Sequence, residues 1–425
     1  RLPGIRALAM KVPCAAKLCA SLLFAALLAS CPAETPPREN VLLITVDTLR
    51  RDHLGCYGYG RGTSPHVDRL AEQSALFEQA QSHSSWTMPS VASMFTSLEP
   101  KDHGIADWKQ PLDAGLLTLA EHLKSRGWRT EGYVSHGVLA RLYQFDQGFD
   151  VYDSSVVEGR LPRDITTARE VTDLALEALP RLAAGSQRFF LWIHYFDPHD
   201  AYLDHPEHRF GPQPVDRYDS EIAWTDRQIG RLLDGLKQQG LQERTLVVFV
   251  ADHGEGFGAH RHLYHTVTLF EELLRVPLLL RVPGLPAQRV AEPVALMDLA
   301  PTLLQLLGQP LPAEFKGRPV PLREGRFRPD PERRIVAETQ RFADLRSLRV
   351  GRYKLIQDRA KGGRKLFDLQ ADPGEQRNLR RRRPELAAAL LAELEAHYAT
   401  GVKQAPGRDL PPEVEEKLRS LGYVK

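Results

Sequence analysis

The strongest pattern in the chain is a set of short, wholly apolar runs separated by amphipathic stretches. Val41-Leu42-Leu43-Ile44-Thr45-Val46 and Thr245 to Ala251 (TLVVFVA) are branched and apolar at nearly every position, with polar residues on either side. Runs of this kind predict strands buried on both faces of a parallel sheet. Weaker strands are predicted over Trp128 to Val134, Arg188 to Ile193 and Val276 to Val282. Between them the period changes. Ile222, Ile229, Leu232, Leu233 and Leu236 place an apolar stripe on one face of a long helix. Ser64-Pro65 opens a helix through Leu70, Thr118-Leu119-Ala120-Glu121 is a capping box closed by Gly127, and Asp298 to Leu307 is a helix stopped by Gly308. Strands alternating with helices predict an α/β fold with a doubly wound, mostly parallel central sheet. After about residue 325 the pattern shortens. Strands over Arg346 to Ile356 and Lys365 to Leu369, then a helix over Pro384 to Tyr398, predict a small C-terminal α+β subdomain over 326–425.

The N-terminal stretch has a different character. Lys11 and Lys17 precede Leu22-Leu23-Phe24-Ala25-Ala26-Leu27-Leu28, an apolar run too short to span a bilayer. It ends in Leu28-Ala29-Ser30-Cys31, which resembles a bacterial lipobox. Residues 1–31 are therefore expected to be an export signal, read from Met10, with Cys31 carrying the lipid. An ordinary cleaved signal or an uncleaved anchor are the alternatives. Residues 32–40, rich in Pro and polar groups, form a tether. The expected location is the bacterial cell envelope, lipid-anchored to a membrane and extracytoplasmic, with a catalytic domain over 41–325.

Composition narrows the partners. Lys+Arg 56 against Asp+Glu 54 gives a net charge of +2 over 425 residues, so nucleic acid is not an expected partner. Of the 4 cysteines, only Cys56 lies in the predicted domain, which excludes a disulfide framework and a thiolate zinc site.

Candidate chemistry gathers at the ends of the two strongest strands. The first ends at Asp47 and the second at Asp252-His253-Gly254-Glu255-Gly256. Ligands in open α/β sheets bind at the carboxyl ends of strands, and two carboxylates with an imidazole suit one divalent cation. Turn capping by Asp47 and Asp252 is the bland alternative. In Ser85-Trp86-Thr87-Met88-Pro89-Ser90, Pro89 suits a first helical turn, so Thr87 stands at a helix N-terminus where anions are favoured. A hydroxyl there, beside a cation, is a candidate nucleophile toward a phosphate or sulfate ester. Alone, Thr87 reads only as a helix cap.

Taken in order, these motifs resemble the sulfatases of the alkaline phosphatase superfamily from about Asn40 to the C-terminus. Val46-Asp47-Thr48-Leu49-Arg50 is similar to the family's first metal turn, Thr87-Met88-Pro89-Ser90 to its C-x-P-S-R nucleophile motif, and Asp197-Pro198-His199 to its P-H motif. Asp252-His253-Gly254-Glu255 resembles the second metal turn, Phe270 through Arg275-Val276-Pro277 the Y-E-x-x-x-R-V-P segment, and Leu366-Phe367-Asp368-Leu369 with Asp372-Pro373-Gly374-Glu375 the C-terminal signature. The resemblance implies a metal-dependent ester hydrolase. Asp47, Asp252, His253 and Thr87 would hold one divalent ion (Ca, Mn or Zn), Thr87 would attack, and His199 or His265 would protonate the leaving group. His194 is open to a site role or a structural one. The chain also departs from the family. Sulfatases convert the motif's Cys or Ser to formylglycine, whereas oxidation of Thr87 would give a ketone. The motif's Arg is Val91, the second Asp of the usual pair is Thr48, and the family's G-K-W-H segment is replaced near Val134-Ser135-His136-Gly137. With fewer cations around the ester, phosphate or phosphonate esters are the expected substrates, on a small molecule, glycan or lipid. A true sulfatase using unmodified Thr87, and an inactive binding protein on the same fold, are the alternatives.

Overall fold

The computed structural model describes residues 40–158, 166–199 and 201–401, with scattered positions beyond. The signal, lipobox and tether readings therefore lie outside the described residues, apart from Asn40. No helix among the described residues is long and apolar enough to cross a membrane.

The core is a nine-stranded sheet. Its strands are β1 (Asn40–Val46), β2 (Ala75–Gln81), β3 (Arg129–Val134), β4 (Val151–Asp153), β5 (Phe189–Tyr195), β6 (Thr245–Ala251), β7 (Arg275–Arg281), β8 (Gln288–Val290) and β9 (Val294–Ala295). They run in the order β4-β3-β5-β1-β6-β7-β2-β8, with β9 pairing β2. From β4 to β6 every pairing is parallel. The sheet then reverses, because β7 is antiparallel to both β6 and β2. β1, β5 and β6 are buried at every position, as their unbroken apolar runs require of strands covered on both faces.

Helices cover both faces. They include Pro65–Ala71, Leu119–Ser125, Ala168–Ala184, Pro214–Gln238 and Leu299–Leu306. Thr118 caps its helix through a capping box with Glu121, and Gly127 turns the chain out at φ +80°. Two elements escape the hydrophobic pattern. β2 (ALFEQAQ) alternates poorly, and the Ala168–Ala184 helix carries an internal Pro180.

After the small hairpin β10 (Leu322–Arg323) and β11 (Arg326–Phe327), the C-terminal region forms an antiparallel meander. Its strands are β12 (Arg334–Thr339), β13 (Leu345–Val350), β14 (Tyr353–Asp358) and β15 (Arg364–Asp368), in that order. The helix Pro384–Tyr398 packs Leu390, Leu391 and Leu394 against Val336, Leu348 and Leu355 of this sheet. The subdomain is joined to the large sheet by a buried charge cluster. Lys354 Nζ lies 2.8 Å from Glu271 Oε1 and 3.1 Å from Glu375 Oε1, and all three side chains are buried.

Candidate active site and metal centre

Strand order brings the chemistry together. β3, β5, β1 and β6 are consecutive neighbours, and the register sets Val134 beside His194, Thr45 beside His194, and Val46 beside Ala251. The carboxyl ends of these four strands therefore deliver His136, His194, Asp47 and Asp252-His253 to one level of one edge. All five side chains are buried. Thr48, just past β1, sits at φ 53°, a strained setting for a β-branched residue. The Tyr218 hydroxyl holds that turn, donating to the Thr48 carbonyl at 2.7 Å and accepting from the Arg50 amide at 2.8 Å.

The helix Thr87–Thr96 carries Thr87 into this cluster. All ten of its residues are buried, and Phe95 packs on Trp192 of β5 with ring centroids 4.6 Å apart. The loop before it is tied to β12: Ser84 Oγ donates to the Glu338 carbonyl at 2.7 Å, and the Glu338 amide donates to the His83 carbonyl at 3.0 Å. Trp86, not Thr87, holds the cap position. The Thr87 hydroxyl instead faces Asp47 Oδ2 and His253 Nε2, both at 3.4 Å. Contacts of this kind shorten when substrate binds.

The cluster is electrostatically incomplete by itself. His253 Nδ1 is 2.9 Å from the Gly254 carbonyl, so it must donate, which leaves Nε2 as an acceptor. That acceptor lies 3.4 Å from Asp47 Oδ1 and 3.7 Å from Asp252 Oδ2. Three lone-pair donors thus face one another. Asp47 Oδ1, Asp252 Oδ2 and both ring nitrogens of His194 are buried without a hydrogen-bond partner. Ligand atoms of Asp47, His194 and Asp252 lie within 4.8 Å of one another. Burial, with Asp252 and Glu255 nearby, drives the Asp47 carboxyl well above its ordinary range. Burial likewise raises Asp252 to about 7 and depresses His194 to about 3. A divalent cation would satisfy Asp47 Oδ1, Asp252 Oδ2 and one ring nitrogen of His194, so the residues fit a metal ion. His136 plays another part. Its Nδ1 accepts from the Val138 amide, which leaves Nε2–H to donate toward Asp47 Oδ2 at 3.5 Å.

His199 and His265 stand beside this centre. The His199 ring is 5.7 Å from His136 and 4.9 Å from His265, and His265 is 4.8 Å from His253. His265 Nδ1 lies 3.3 Å from both oxygens of Glu255, which is itself buried. Burial alone would raise Glu255, but the charge and hydrogen bond of His265 carry it below the usual range. The other histidines of this loop stand apart: His260 pairs with Glu272 at 2.6 Å and stacks on Phe270, and His262 is exposed. The site thus unites Asp47, Thr87, His199, Asp252, His253 and His265 and adds His136 and His194. His136 lies in the segment read only as replacing the family's G-K-W-H, so it was not taken as a site residue, and His194 was left undecided.

A family model described as "Sulfatase" matches residues 39–309. The chain belongs to the sulfatase family. A second model, "N-sulphoglucosamine sulphohydrolase, C-terminal", matches residues 258–400. Among sulfatase relatives, the choline-sulfatase of Rhizobium meliloti is 25% identical over 429 residues, covering 81% of this chain and 83% of its own length. The ulvan-active sulfatase of Formosa agariphila is 26% identical over 403 residues, covering 81% and 78%. Among solved structures, the phosphonate monoester hydrolase of Silicibacter pomeroyi superposes with a TM-score of 0.70 at 22% identity, covering 86% of this chain and 96% of that one. This sulfatase-family chain is an ester hydrolase, and its sheet and C-terminal meander are the family's architecture. Val91 is fully buried in the core, and Thr87 stands buried at the N-terminal end of the same helix.

Proposed function

We propose that this chain hydrolyses phosphate or phosphonate esters with Thr87 as the nucleophile. The observation that carries the reading is the Thr87 hydroxyl, at a helix N-terminus, aimed at Asp47 and His253 rather than used as a cap. Asp47, Asp252, His194 and His253 would hold a divalent ion, which when bound supplies Lewis-acid stabilisation of the negative charge on the ester. Thr87 Oγ1 forms a bond to phosphorus as the bond to the leaving oxygen breaks with its electron pair. The hydroxyl proton passes to Asp47 Oδ2, toward which the hydroxyl points. The leaving oxygen takes a proton from His199 or His265. Water then cleaves the phosphothreonine ester and frees Thr87. The amides of the helix's first turn stabilise the charge that builds up. His136 orients Asp47, and Glu255 orients His265.

An aldehyde hydrate can expel its ester by collapsing on a second hydroxyl. Thr87 has one oxygen, so water must attack the central atom, a step that suits phosphorus. Sulfate-ester hydrolysis is the second reading, favoured by the names of the relatives. The names of the relatives include an ulvan-active sulfatase, which supports an anionic sugar ester as the natural substrate here. We further propose that Cys31 is lipidated and that the enzyme works outside the cytoplasm; the N-terminal pattern supports this.

Nitrophenyl phosphate, bis-nitrophenyl phosphate, a phenylphosphonate ester and nitrophenyl sulfate, each with Ca, Mn and Zn, test the reading. Phosphorus esters should be turned over faster than the sulfate. Thr87→Ser should keep measurable activity. Thr87→Ala should fall by about a thousandfold or more. Wild-type turnover by Thr87→Ala overturns the nucleophile assignment, and a preference for sulfate selects the second reading.

A further inference from the structure

A groove of about 660 Å³ lies between the loop that follows His265 and the C-terminal meander. Five cations line it, Lys361, Arg364, Lys365, Arg380 and Arg381, against a single carboxylate, Asp358. All five are exposed, and among the described residues none is held in an ion pair. Asp358 is partly engaged in its own turn, accepting from the Lys361 amide at 2.9 Å. The floor is apolar, formed by Phe270, Leu345 and Ile356, and Lys365 Nζ sits 4.5 Å from the Phe270 ring centroid. Unpaired like charges crowded around one concavity repel one another, a cost with no structural return visible in this subdomain.

The wall of the groove is continuous with the active site. The His265 ring lies 4.8 Å from that of His253, and Val267, Thr268 and Phe270 of the same segment line the groove. Five residues of chain reach at most about 18 Å, the span of a short oligosaccharide. We propose that this groove is an accessory subsite that binds further anionic groups of a polyanionic glycan whose scissile ester lies at Thr87. The proposal rests on the reading of the active site given above. A cationic rim over an apolar floor matches a sugar chain, which offers charged substituents at its edges and C–H faces to the floor. A bilayer surface is flat and would meet only the rim.

The test is binding, not turnover, so it stands apart from the fate of the nucleophile. Full-chain protein is titrated calorimetrically with a size-defined heparin oligosaccharide near 0.15 M salt, with its desulfated counterpart and with phosphatidylglycerol vesicles as separate arms. Wild-type protein should bind the sulfated chain, with affinity falling as salt rises, and ignore the desulfated one. Lys361→Gln/Arg364→Gln/Lys365→Gln/Arg381→Gln should weaken binding by about tenfold or more. Single Arg364→Glu, with circular dichroism as the check on folding, should move it the same way. Unchanged affinity in the folded variants overturns the proposal. So does equal binding of the desulfated chain, or loss of vesicle binding with oligosaccharide binding intact, which would make the groove a membrane contact.

Discussion

Replacing Lys354 with Met removes the central cation from the cluster that joins the C-terminal meander to the large sheet. Lys354 is 1% exposed and contacts Glu271 at 2.8 Å and Glu375 at 3.1 Å. The two acids do not share it equally. Burial raises Glu271, but Lys354, Arg349 and Gln81 together pull it down to about 2. Burial and the charge of Glu271 hold Glu375 up at about 7 despite Lys354. With Met at 354, Arg349, at 3.7 Å, is the cation left beside Glu271, and among the described residues Glu375 has no other cation in an ion pair with it. Removing one partner from a buried pair costs about 3–5 kcal/mol, and that is the expected loss at pH 7.5. The pH dependence follows from the signs. A carboxyl raised in the folded state contributes stability below its unfolded value, which is lost as pH rises through the folded value. In the variant Glu271 loses its main cation and moves up from about 2, so the deficit against wild type should grow as pH rises above that value and shrink on acidification. Wild-type Glu271 behaves oppositely, contributing stability above its unfolded value that is lost only as pH falls toward about 2. Urea unfolding followed by tryptophan fluorescence at pH 5 and 7.5 measures both. A deficit below about 1 kcal/mol at pH 7.5, or one that does not shrink at pH 5, refutes the reasoning. Glu375→Gln, which removes the under-compensated acid, should cost far less than Glu271→Gln.

Gly254→Ala places a Cβ 2.0 Å from the Glu272 carbonyl oxygen. Backbone must move, so melting temperature and activity should both drop, with a stability loss above the about 0.5 kcal/mol of an ordinary surface change; a wild-type melt would show the turn is slack. Asp47→Asn should leave the fold intact, judged by circular dichroism, while abolishing activity and lowering the bound-metal content measured by elemental analysis. Wild-type metal content would remove Asp47 from the ligand set. Cys31→Ser should move the protein from the membrane fraction to the soluble one on fractionation; retention in the membrane would mean the N-terminal segment anchors it by another route.

Much of the site was legible because two signals coincide in this chain. An unbroken apolar run marks a strand buried on both faces, and a polar residue at its carboxyl end marks the position where such sheets bind ligands. Asp47 and Asp252-His253 were read this way, and Pro89 placed Thr87 at a helix start. The capping box at Thr118 and the helix Pro384–Tyr398 were equally local, since caps and helical period are written within a few residues. The order of the strands was not written there. His136 and His194 enter the site only because β5 lies next to β1 and β3 next to β5, and periodicity records which face a residue takes, not which strand becomes its neighbour. The antiparallel reversal at β7 was hidden for the same reason, since RVPLLLR reads alike in either direction. Lys354 reads as an ordinary polar residue of a strand in sequence. Burial beside Glu271 and Glu375 arises only when the meander closes on the large sheet, where low dielectric turns three separated charges into one structural unit. Local sequence settled the elements and the two carboxylates. Long-range pairing decided which imidazoles join them, because that pairing depends on contacts between residues 60 or more positions apart.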